Sequence, residues 1–118
     1  MVSTMRPGQL KPNEFELAIL ACMTQKELSI AASIGQLHVL SREFTGVGSF
    51  TNFKVDALGD ALEQPVGLDA LIRMPGVPNG MGAELLLKGG KPQCLEVFTY
   101  GDNHWDGVFE GFSIEQLA

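Results

Sequence analysis

Apolar residues recur first at helical spacing. Phe15, Ala18, Ile19, Cys22 and Met23 fall at i, i+3, i+4, i+7 and i+8, which predicts one apolar stripe on a helix that begins near Glu14. Leu17, Leu20 and Ala21 widen the stripe, so the helix is expected to be buried over much of its circumference. Its start has local logic: Asn13 can cap, Glu16 stands three residues later, and Glu14 and Glu16 sit at the positive end of the helix dipole. Thr24 and Glu27 repeat the capping spacing and predict a second short helix over about residues 25–34, ended by Gly35.

From Gln36 the period shortens to two. Leu37, Val39 and Ser41 alternate with His38, Leu40 and Arg42, Gly46-Val47-Gly48 turns the chain, and Phe50, Thr51, Phe53 and Val55 form the return strand. Residues 56–64 show no clear period and Pro65 interrupts them, whereas 68–74 read as a strand with Arg73 outward. Pro75-Gly76-Val77-Pro78-Asn79-Gly80 reads as a loop.

A second hairpin pivots on Gly89-Gly90. With Lys88-Gly89-Gly90 as the loop, Leu85 faces Gln93 and Ala83 faces Leu95. That register gathers Ala83, Leu85, Leu87, Leu95 and Val97 on one face, while a loop of Gly89-Gly90 alone sets Leu85 against Cys94 and mixes polar with apolar. The opposite face carries Glu84, Leu86, Cys94, Glu96 and Phe98. Beyond it, residues 101–107 form a polar loop around Trp105, and 108–113 read as a last strand with a bulge or close contact at Gly111.

These elements predict an α+β fold, with N-terminal helices packed on a mostly antiparallel sheet of about five strands with glycine-turned hairpins. At 118 residues the chain is expected to form one domain, 1–118, with 1–11 as a loose N-terminal arm.

Composition narrows the function classes. Apolar content of 45% with 19% charged residues is that of a globular domain. No apolar run reaches the ~20 residues a membrane span needs. The first ten residues hold Arg6 but no apolar h-region, so no secretory signal and a cytoplasmic location are expected. In that compartment Cys22 and Cys94 stay reduced and act as small hydrophobes. The formal charge of −6, with only 8 basic residues and no cluster among them in sequence, argues against nucleic acid and suits solubility or a basic protein partner.

Three constellations carry candidate chemistry. Asp102, His104 and Asp106 include metal-ligand types at close spacing, but Asp and Asn also serve turns, and no further histidine lies near; no metal or cofactor is expected. Glu84 and Glu96 fall on one face of neighbouring strands, where paired carboxylates could do acid–base work. The plainer expectation for them is a solvated sheet face. Asp102, Trp105, Asp106 and Glu110 set an aromatic ring among carboxylates, a composition suited to gripping a basic partner. A core role for Phe98, Phe109 and Trp105 competes with that reading.

Arg42-Glu43-Phe44-Thr45-Gly46-Val47-Gly48-Ser49-Phe50-Thr51 and Leu95-Glu96-Val97-Phe98-Thr99-Tyr100-Gly101, with Met81-Gly82-Ala83-Glu84 between them, resemble motifs of a family of small bacterial proteins of no established activity. The resemblance covers roughly residues 37–106, with Ser49 standing where that family usually carries a bulky side chain. It implies a bacterial origin and transfers no catalytic residue. The leading expectation is a non-catalytic, immunity-type binding domain with an acidic surface. A small enzyme or ligand-binding protein using Glu84 and Glu96, and a homodimer built on the mixed sheet face, are the alternatives.

Overall fold

The computed structural model describes residues 10–25, 27–54, 64–101 and 103–116. The expectations placed on the arm before Leu10, on Lys26, on Val55 and residues 56–63, and on Asp102 lie outside that set.

Helix α1, Glu14–Thr24, opens with the capping box read from the sequence. The Glu16 amide donates to Asn13 Oδ1, and the Asn13 amide donates to Glu16 Oε1, both at 2.8 Å. Its buried face is Phe15, Glu16, Ile19, Leu20 and Met23. Leu17 is exposed and Ala18 and Cys22 are half-buried, so the stripe is turned from its expected position toward a glutamate.

The expected second helix is a single 3-10 turn, Leu28–Ile30, running into the four-residue α2, Ala31–Ile34. No side-chain cap starts either one, and Thr24 donates to the Ala21 carbonyl instead. Ile30 reaches the core, and from α2 Ile34 packs against it, partly buried. The helical part of the expected architecture is therefore one full helix, α1, followed by short helical turns.

The sheet has seven antiparallel strands, not about five: β1 Val39–Phe44, β2 Gly48–Phe53, β3 Val66–Gly67, β4 Ala70–Met74, β5 Val77–Lys88, β6 Lys91–Thr99 and β7 Ser113–Gln116. Their order is β1-β2-β6-β5-β4-β7, with β3 alongside β5. The sheet differs from the expected one in three places. Pro75-Gly76 makes a tight turn that sets Met74 opposite Val77, so the segment expected as a loop enters β5 directly. Val66–Gly67 forms its own short strand on the far half of β5. The last strand is 113–116, because Phe109 and Phe112 fold their rings onto Phe15 and hold residues 108–112 outside the sheet.

The β5–β6 hairpin corrects the predicted register while keeping its faces. Gly89 and Gly90 both have positive φ, 59° and 75°, so they alone form the turn, with Lys88 opposite Lys91. An irregularity between Leu86 and Leu87 then admits one extra residue on β6, and beyond it Leu85 pairs with Leu95 and Ala83 with Val97. This register lies two residues from the expected one. A two-residue displacement preserves side-chain parity, so Ala83, Leu85, Leu87, Leu95 and Val97 are all buried. Together with Phe15, Ile19, Leu20, Met23, Ile72 and Met81 they make the core on the helix side of the sheet.

Candidate functional site

A bulge decides which residues β1 sends to each side. The register shifts between Val39 and Ser41, so Val39, Arg42 and Phe44 all pair with the helix-side residues Phe53, Thr51 and Ser49. Arg42 and Thr51, directly cross-strand, both meet Glu16 from α1. Arg42 donates from Nε to Oε2 and from Nη2 to Oε1, each at 2.8 Å, and the Thr51 hydroxyl donates to Oε2 at 2.6 Å. The Glu16 side chain is 1% exposed and accepts four hydrogen bonds, one of them from its own cap. Its hydrogen bond raises the Arg42 pKa from its ordinary value, against the lowering effect of burial. This network locks the helix to the sheet and is saturated, so it is structural and not catalytic. Glu16 in an apolar stripe and Arg42 in a β run were its only sequence signals.

The other side of the sheet carries no helix residue named in the core. Across it runs one register row: Glu43 on β1, Phe50 on β2, Glu96 on β6 and Glu84 on β5. Glu84 and Glu96 are therefore immediate cross-strand neighbours, whereas the expected register, with Leu85 opposite Gln93, would set them diagonally. Beside them Gly82 lies opposite Phe98, and a Cβ there would meet the Phe98 ring at 2.9 Å as well as the Tyr100 hydroxyl. The glycine lets those two rings lie down on β5, edge to face at 5.7 Å between centroids. Cys94 is buried in this face, and its thiol is pushed up by desolvation, then by Glu96 and Glu43. That direction removes thiolate and leaves it a poor nucleophile.

The C-terminal loop lies at another place, beyond the start of α1. Trp105 is 5% exposed, packed among Phe15, Phe44 and Phe109 with ring centroids 5.5–6.0 Å away. Its indole donates to the Val108 carbonyl at 3.2 Å, and its amide donates to the Gly46 carbonyl. It thus supports the loop and offers a partner little surface. Asp106 is exposed and accepts the Val108 amide at 3.0 Å, the service an Asp renders a turn. Glu110 is exposed on the rim of a cleft of about 530 Å³ lined by Asn13, Glu14, Phe15, Phe109 and Phe112. Phe44 and Val108 are about half exposed.

The sequence-predicted residues thus divide between two surfaces. Asp106 and Glu110 belong to the edge beside α1, whereas Glu84 and Glu96 belong to the open side of the sheet. Among the described residues no group of three or more His, Cys, Asp and Glu is placed to hold a metal ion, and no helix is long and apolar enough to cross a membrane. No family model, curated protein or solved structure matches the chain.

Proposed function

We propose that this protein is a non-catalytic binding domain that takes a basic protein partner on the edge formed by the start of α1 and the C-terminal loop. The carrying observation is the cleft with Glu14 and Glu110 at its rim and the Phe109 and Phe112 rings in its wall. An arginine or lysine side chain meets there both of the attractions it uses, carboxylates and aromatic faces. Phe44 and Val108, exposed nearby, add the apolar surface that surrounds such an anchor. The net charge of −6 speeds the encounter. An immunity-type inhibitor that occludes a basic toxin surface is the concrete form of this reading.

A second reading rests on the row Glu43, Glu96 and Glu84 beside Phe50, Phe98 and Tyr100, which suits an interface on the open sheet side. Acid–base catalysis by Glu84 and Glu96 is the weaker use of that row, because the cleft beside α1 lies elsewhere and neither carboxylate lines it.

An arginine-rich peptide titrated into the full chain tests the proposal. Asp106→Lys with Glu110→Lys is expected to weaken binding at least about tenfold, and Glu84→Lys with Glu96→Lys to change it by less than about twofold. The reverse pattern moves the interface to the sheet face. Binding indifferent to added salt counts against both.

A further inference from the structure

The eight basic residues are scattered in sequence, yet three of them converge in space. Lys11, Lys54 and Lys91 line a cleft of about 480 Å³ with His38, Ser33, Gln36, Leu37 and Pro92. Strand pairing brings them there. The Val39 amide donates to the Leu10 carbonyl, which lays Lys11 along one side of His38. The Lys54 amide donates to the His38 carbonyl at 2.9 Å, which lays Lys54 along the other. Since Asn52 pairs with Cys94, the start of β6 brings Lys91 beside Lys54.

Three features make this more than a solvated charge cluster. Among the described residues the ion pairs are Arg42–Glu16 and Arg73–Glu115, and no carboxylate of that set pairs with Lys11, Lys54 or Lys91. His38 stands in the wall of the cleft with its imidazole partly buried and its Nδ1 without a hydrogen-bond partner among the described residues. The volume falls in the range of small-ligand sites, about 300–1,000 Å³. The nearest carboxylate on β1, Glu43, is five residues from His38, roughly 16 Å along a strand.

We infer that this cleft binds a small phosphorylated molecule, its phosphate oxygens held by the Lys11, Lys54 and Lys91 ammonium groups. Ser33 and Gln36, also in the lining, supply directional hydrogen bonds beside them. The lysines suit the charge of an anion with more than one phosphate, and a volume of about 480 Å³ suits a compact ligand. This site is separate from the acidic edge and stands or falls without it.

Calorimetric titration of the full chain at low salt tests the assignment, with pyrophosphate, a nucleoside triphosphate, inorganic phosphate, citrate and a single-stranded oligonucleotide as probes. Pyrophosphate and the triphosphate are expected to saturate one site, at least about tenfold tighter than phosphate or citrate. Lys54→Glu and Lys91→Glu, both at exposed positions, are expected to cost about tenfold or more each, with thermal melts showing the variants folded. Arg73→Glu, on β4, is expected to leave affinity within about twofold. Equal losses from Arg73→Glu would reduce the effect to net charge and overturn the site. Citrate binding as tightly as pyrophosphate would overturn the phosphate assignment, and an oligonucleotide binding more tightly than the triphosphate would overturn the small-ligand one.

Discussion

Glu16 and Arg42, separated by 26 positions in sequence, meet through two parallel hydrogen bonds of 2.8 Å. The carboxylate belongs to the helix's own cap and the guanidinium to the sheet, so one pair ties the first element to the strand that starts the sheet. Removing one partner leaves a buried charge uncompensated. Arg42→Ala is therefore expected to destabilise the fold by about 3–5 kcal/mol in chemical denaturation. Replacing both residues with apolar side chains should cost less than the sum of the single changes. Strict additivity in that double-mutant cycle would show the pair to be uncoupled.

Two hydroxyls on β2 should respond in opposite directions. Thr51 donates to Glu16, and Thr51→Val is expected to cost about 1–3 kcal/mol. Ser49 is 2% exposed and its hydroxyl has no partner among the described residues, so Ser49→Ala should be neutral or stabilising by up to about 1 kcal/mol. A large loss at Ser49 in the same denaturation assay would mean that its hydroxyl is bonded after all.

Glu84 and Glu96 face each other as like charges. Glu84→Gln should raise stability by about 0.2–1 kcal/mol, more at low salt than at high. Melting temperatures at two ionic strengths measure this, and a salt-independent gain would point to packing as the cause.

The Cys94 thiol has its pKa raised in the fold from an ordinary value of 9.0. A raised folded value means that the unfolded chain loses this proton first. The contribution is complete below the unfolded pKa and is lost as pH rises through the folded one. Cys94→Ala should therefore flatten the decline in stability at alkaline pH. Alkylation of Cys94 at pH 8 should be much slower than in denaturant; comparable rates would exclude the burial that raises the pKa.

Local chemistry by itself determined several parts of this protein. Asn13 and Glu16 complete a capping box within four residues, Gly46 and Gly89-Gly90 admit positive φ, and the parity of Ala83, Leu85, Leu87, Leu95 and Val97 assigns the buried face in any register an even number of residues apart. These depend on neighbours along the chain or on a period of two, and both are visible in one dimension.

Only the tertiary structure decided the rest. The bulge between Val39 and Ser41 turns Arg42 toward α1, and only then does burying Glu16 become favourable. The two-residue Gly89-Gly90 turn and the extra residue beyond it each move the hairpin one position, two in all, from the register that its apolar pattern predicted. Trp105 leaves the surface because Phe15, from the first helix, and Phe44, from the first strand, surround it. Lys11, Lys54 and Lys91, dispersed along the chain, become one cationic cleft because strands distant in sequence are adjacent in the sheet. A polar partner, a bulge and an assembled charge cluster are each set by distances between strands, and sequence spacing does not encode those distances.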